Sequence, residues 1–155
     1  MTVLEKIIQK LDDEGIDYSR IDHEPVYTSE EAARIRDADI SMGAKAIVCF
    51  ADKKPCLIVV PGDKKIGFKA FKTLFNVKDM RMASASEVIA LTTLEIGSIP
   101  PTGSLMDLKS YFDESFKSKD KVAFNAGSHT VSVLMKARDL IMIEDPAFGD
   151  FAADK

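Results

Sequence analysis

The sequence predicts a mixed α+β fold, and three observations carry that prediction. Apolar segments of strand length come in hairpin pairs as often as they alternate with helical segments, which disfavours a doubly wound parallel sheet. Three helical segments open on the same start signal, a Ser or Thr followed three residues later by Glu. A chain of 155 residues, 46% hydrophobic and without repeat, linker or low-complexity segment, suits one compact domain over residues 1–155 with a real core.

The elements follow in order. Residues 2–15 read as a helix: Thr2 and Glu5 form the start signal, Leu4, Ile7, Ile8 and Leu11 share a face, and Gly15 ends it. A short strand is expected near Tyr18–Ile21, and a second helix within HEPVYTSEEAARIRD, opened by Thr28 and Glu31. KAIVCFADKKPCLIVVPGD reads as a hairpin, Ala46–Phe50 and Cys56–Val60 joined by a turn over Ala51–Pro55. Both halves are nearly continuous apolar runs, so both are expected to be buried on two faces. Gly67–Phe75 predicts a helix with Phe68, Phe71, Leu74 and Phe75 towards the core, and Val77–Met82 a strand. Ser84 and Glu87 open a helix through about Leu91. The segment GSIPPTGS (Gly97–Ser104) is irregular, because adjacent prolines lack amide donors. Strands follow near Ser110–Asp113, Lys121–Asn125 and Thr130–Met135, then a short helix over Ala137–Ile141. The tail EDPAFGDFAADK is expected to fray.

Composition excludes several classes of function. No run approaches the roughly 18 apolar residues of a membrane helix, and the charged N-terminus is no secretory signal, so a cytoplasmic location is expected. A net charge of −4 argues against a broad nucleic-acid surface but allows a local grip on a short nucleic-acid end. Lys64, Lys65, Lys69, Lys72, Lys78 and Arg81 crowd one segment, which reads first as a solvated face. Cys49 and Cys56 lie on neighbouring strands. A disulfide is conceivable there, and buried free thiols are the expected state. Two histidines and two cysteines without ligand spacing give no metal site.

Three places could carry chemistry. The loop Gly97-Ser98-Ile99-Pro100-Pro101 is rigid, and its amides could hold a carbonyl or an oxyanion; it could equally be a rigid surface turn. Lys45 opens an apolar strand, where it could pack its stem and reach water or aim a cation at a phosphate. His129 follows the small residues Gly127 and Ser128 at a strand entry and could serve as a base. No triad, G-x-S-x-G elbow, H-E-x-x-H or D-x-D-x-D-G pattern accompanies it. His23 is expected to make a structural contact at a strand end. Gly62 in VVPGDKKI lacks the spacing of a phosphate-binding loop.

Taken in order, HEPVYTSEEAA, KAIV, VVPGDKKI, RMASASEV, GSIPPTG, YFDES and FNAGSHT resemble the YbaK family of free-standing aminoacyl-tRNA deacylases, relatives of the editing insertion of bacterial prolyl-tRNA synthetases. The resemblance runs from about His23 to Leu140. It implies helices around a mixed, partly barrel-like sheet. It also implies hydrolysis of the ester joining a wrong amino acid to a tRNA 3′ end, tRNA-Pro carrying a small amino acid among the options. By resemblance, Lys45 serves the 3′-terminal nucleotide and Gly97 positions the reacting ester by its backbone. Ser98, Ile99, Pro100 and Pro101 complete that loop, and Gly127, Ser128 and His129 line the amino-acid pocket. The family uses no protein nucleophile, no cofactor and no metal; water is positioned by backbone groups and by the substrate's own ribose hydroxyl. His129 then reads as a pocket residue rather than a proton shuttle.

The chain departs from the family pattern where that pocket and its support should lie. Thr102 stands where Phe often follows the prolines, and Thr92, Thr93 and Leu94 replace a Thr-Gly and aromatic pattern. Alanine, serine, threonine and cysteine esters all remain open. The alternative reading is a non-catalytic module of the same fold that binds tRNA or a synthetase; retention of Lys45 and of the intact loop favours the enzyme. A small-molecule ester hydrolase is disfavoured by the missing nucleophile.

Overall fold

Helix α1 (Val3–Asp13) buries Val3, Ile7 and Leu11. Thr2 Oγ1 accepts from the Glu5 amide, satisfying one of the helix's free N-terminal donors. The computed structural model describes residues 1–155. Strand β1 (Tyr18–Asp22) leads to α2 (Ser29–Arg36), where Thr28 and Glu31 complete a reciprocal capping box. Ser84 and Glu87 do the same for α4 (Ala85–Thr92).

The hairpin is longer than expected and its turn shorter. Strands β2 (Ala44–Ala51) and β3 (Lys54–Pro61) are joined by Asp52 and Lys53 alone, both with positive φ, as a two-residue hairpin of matching twist requires. Short β4 (Lys64–Ile66), helix α3 (Phe68–Phe75) and β5 (Met80–Met82) follow. Beyond α4 lie β6 (Lys109–Asp113), β7 (Lys121–Asn125), β8 (Val131–Lys136) and α5 (Ala137–Glu144).

Two further strands, β9 (Ala147–Gly149) and β10 (Ala152–Asp154), correct the expectation of a frayed tail. β9 pairs in parallel with β6, and β10 pairs antiparallel with β4. Buried Asp113 grips the segment between them: its carboxylate accepts from the amides of Phe151 (3.1 Å) and Ala152 (2.8 Å). Both partners are far away in sequence, so no local signal reports them.

The mixed sheet has the order β5-β2-β3-β6-β9, and a second, antiparallel sheet has the order β1-β8-β7. Leu57 and Val59 of β3 face the main core with Phe112, Phe124 and Val133. Cys56, Ile58 and Val60 face a smaller cluster with Cys49, Phe71 and Phe151. Burial on both faces therefore holds for β3, whereas β2 is only partly buried. Leu74 was expected to face the core and is 51% exposed, because Phe68, Phe71 and Phe75 form the inward stripe of α3 and leave it at the edge. Cys49 and Cys56 are register partners on β2 and β3 and are free thiols. Burial pushes them up to about 12 and about 11 respectively.

Candidate functional site

The two main sheets meet through a single parallel bridge, Gly43 to Ala123. Helix α2 lies beside this seam, and a cleft of about 110 Å³ opens there. One wall is Tyr27 and the inner face of α2, with Ala32, Ala33 and Arg36; the other is the start of β2, with Lys45, and the end of β7, with Asn125. Gly97 and Ile99 close it. The approach of chains at the base is tight: a Cβ on Gly62 would lie 2.6 Å from the Ile40 carbonyl. Gly62, set aside as a phosphate-loop signal, is thus required as a packing residue of the cleft wall.

Lys45 Nζ donates to the Lys64 carbonyl at 2.6 Å, leaving two ammonium protons free. Burial is the main cause that lowers its pKa, and nearby Lys155 adds to the effect. That carbonyl belongs to β4, which the tail strand β10 holds in register. Among the six basic residues crowded between positions 64 and 81, Lys64 pairs with Asp154 and Arg81 with Glu87.

Gly97 has φ +91°, a conformation that disfavours a side chain. Its carbonyl accepts from Asn125 Nδ2 at 2.7 Å. The next carbonyl, of Ser98, accepts from the Gly127 amide at 3.0 Å. The amides of Gly97 and Ile99 donate to no group in the protein. Two uncommitted donors on a pinned loop are what a developing oxyanion needs. Ser98 is buried, with its hydroxyl given to the Glu95 carbonyl, and Pro100 and Pro101 are buried as well.

His129 lies behind Gly97. Its Nδ1 lies 3.1 Å from the Val26 carbonyl, so this nitrogen carries the proton in the neutral ring and Nε2 is the lone-pair atom. Nε2 is buried without a hydrogen-bond partner; the Glu95 carboxylate, at 3.8 Å, is too far to serve. The ring packs on Tyr27 at 4.6 Å, and a Cβ on Gly97 would sit 3.3 Å from its Cε1. The structure brings Lys45, Gly97 and Ile99 to one cleft. Ser98, Pro100, Pro101, Gly127, Ser128 and His129 lie outside the cleft lining; Gly127 and His129 hold the loop from behind, and Ser128 bonds Thr130 instead.

No nucleophile with an activating partner lines this cleft. Thr28 caps α2, Asp39 caps a short 3-10 turn, and Ser29 has no bonded base. No group of three or more His, Cys, Asp or Glu side chains could hold a metal ion. Sequence reasoning missed Arg36 and Asn125. SEEAARIR carries no local signal for them: only the structure shows Ile35 exposed and Arg36 on the cleft with the small Ala32 and Ala33, one helical turn away.

A profile of the aminoacyl-tRNA editing domain matches residues 23–143. The chain belongs to the aminoacyl-tRNA editing domain family. It is 30% identical over 152 residues to the multifunctional Ser/Thr-tRNA deacylase ProXp-y of Escherichia coli K12, covering 95% of this chain and 91% of that relative. It is 27% identical over 146 residues to the prolyl-tRNA editing protein ProX of Acetoanaerobium sticklandii, covering 90% and 89%. A solved structure of a hypothetical protein superimposes with a TM-score of 0.86 at 23% identity over 95% of this chain and 99% of the other. One described as a candidate trans-editing enzyme for prolyl-tRNA synthetase gives 0.82 at 21% identity over 97% of each. The α+β fold expected from the sequence is the fold of these structures.

Proposed function

We propose that this chain is a trans-editing deacylase that hydrolyses the ester of a mischarged tRNA, with serine and threonine as the leading amino acids. The observation that carries the reading is that Gly97 and Ile99, whose amides have no acceptor in the protein, line the same cleft as half-buried Lys45. Water adds to the ester carbonyl carbon, the bond to the ribose oxygen breaks, and that oxygen takes the proton. Free amino acid and tRNA leave. The amides stabilise the negative charge on the carbonyl oxygen, and Lys45 binds the phosphate of the terminal nucleotide. A cleft of about 110 Å³ is small beside the roughly 300–1,000 Å³ of pockets for larger ligands, which suits a small amino acid with the nucleotide left outside. The ProXp-y relative supports serine and threonine within that class. The place of action is the cytoplasm, where mischarged tRNA forms.

The test uses alanyl-, seryl-, threonyl- and cysteinyl-tRNA with the wild-type protein and with His129→Ala. Wild type is expected to release serine and threonine fastest. The variant is expected to keep measurable hydrolysis while changing the ratio between amino acids, since its ring supports the loop from behind. No release from any of the four defeats the deacylase reading, and tight binding of the same tRNAs would then favour a regulatory module.

A further inference from the structure

We propose that Arg36 is a positioning residue for the hydrolytic loop, acting through the Asn125 carboxamide on the Gly97 carbonyl. Arg36 Nε donates to Ser132 Oγ at 2.9 Å, and Nη2 donates to Asn125 Oδ1 at 2.8 Å. Because Oδ1 is taken by a cation, the carboxamide is held with Nδ2 towards Gly97, whose carbonyl it reaches at 2.7 Å. The peptide after a glycine at φ +91° is thereby prevented from turning.

The other end of the network is equally determined. His23 Nδ1 lies 2.8 Å from the Glu24 carbonyl and so carries a proton. In the neutral ring Nε2 then accepts from the Ser132 hydroxyl at 2.8 Å, leaving Ser132 Oγ to accept from Arg36. The path from strand end to loop reads His23, Ser132, Arg36, Asn125, Gly97. Its guanidinium faces no carboxylate: burial alone lowers it, to about 10. A buried cation held only by neutral groups is costly to keep, which makes Arg36 a poor choice if packing were its whole purpose. A planar fork with two directed donors is what orienting a carboxamide requires, and a lysine cannot supply it.

This inference rests on the deacylase reading, and two variants test it. Arg36→Lys keeps the charge and loses the fork. Asn125→Asp gives Arg36 a carboxylate partner while replacing the donor facing the Gly97 carbonyl with an oxygen. Both are expected to lower kcat on the preferred tRNA by about tenfold or more, with KM within about twofold. Asn125→Asp is expected to melt no lower than wild type, so it carries the test if Arg36→Lys fails to fold. A raised KM with unchanged kcat, and a log–log salt dependence shallower by about one for Asn125→Asp, would show that Arg36 contacts a substrate phosphate itself and would overturn the proposal. Unchanged kcat and KM in both variants would overturn it too. Exchange of the Asn125 side-chain amide protons, followed by NMR, is independent of activity. It is expected to be slow in wild type and fast in Arg36→Lys, and equal rates count against the network whether or not any tRNA is deacylated.

Discussion

Gly97→Ala is the most informative single change at the site. A residue with a Cβ at φ +91° carries torsional strain of about 1–3 kcal/mol. The new methyl would also meet His129 Cε1 at 3.3 Å. The ring has little freedom to retreat, because Nδ1 is bonded to the Val26 carbonyl and one face packs on Tyr27. The loop has little freedom either, with the Gly97 carbonyl held by Asn125 and the Ser98 carbonyl held by Gly127. The strain must therefore appear as lost stability or as a displaced pair of loop amides. Displacement should lower kcat roughly 5- to 150-fold. Retained geometry should instead lower Tm by roughly 2–12 °C, at about 2–4 °C per kcal/mol for a chain of this size. Thermal melting and single-turnover deacylation of the preferred tRNA measure both. The double variant Gly97→Ala/His129→Ala removes the contact and leaves the torsion, so it should recover only part of the loss seen on adding Gly97→Ala to wild type. Wild-type Tm together with wild-type kcat/KM in Gly97→Ala would refute the argument that the loop is held rigidly in a glycine-only conformation.

Five further outcomes are expected. Lys45→Ala should cost about 1.5–3 kcal/mol of substrate or transition-state binding, roughly 10- to 150-fold in kcat/KM. Because burial lowers the Lys45 pKa from 10.5, its charge opposes folding at neutral pH and the cost fades as pH rises through the lowered value; any stability gained by Lys45→Ala should shrink along the same titration, and a gain that grows with pH contradicts this. Asp113→Ala leaves the Phe151 and Ala152 amides without their acceptor and should cost about 3 kcal/mol, seen as a Tm lower by roughly 6–12 °C and as protease cleavage of the tail after position 146. Cys49 and Cys56, with thiols raised by burial to about 12 and about 11, should resist iodoacetamide at pH 8 until the protein is unfolded; labelling of the native state would show the sheet to be open there. EDTA should leave deacylation unchanged, and loss restored by a divalent ion would place a metal in the chemistry.

Much of the fold was legible because its signals are local. A hydroxyl three residues before a glutamate caps α2 and α4 as expected, since both partners of each box lie within one turn. The apolar run from Cys56 to Val60 announced a strand covered on both faces, and β3 is that strand. Lys45 and the Gly97 loop stood out as a cation on an apolar strand and as a stretch that no regular element accepts. The network behind them left no such mark. An arginine in SEEAARIR reads as solvated until Ser132 and Asn125, which lie 96 and 89 residues away, are seen to bind it.

The sequence by itself determined most of the helices and strands, and it marked Lys45 and the Gly97 loop as unusual; the ester at a nucleotide end was implied only by the family resemblance. Capping, periodicity and the conformational limits of Gly and Pro act within a few residues, so a linear reading can find them. Only the tertiary structure decided that the last ten residues form two strands and that Lys45 leans on one of their neighbours. It also decided that His129 sits behind the loop rather than among the residues lining the cleft. Those outcomes rest on hydrogen bonds and burial between positions tens of residues apart, such as Asp113 with Phe151 and His129 with Val26. Asp113 reaches Phe151 because β9 pairs with β6, and His129 reaches Val26 because β1 pairs with β8.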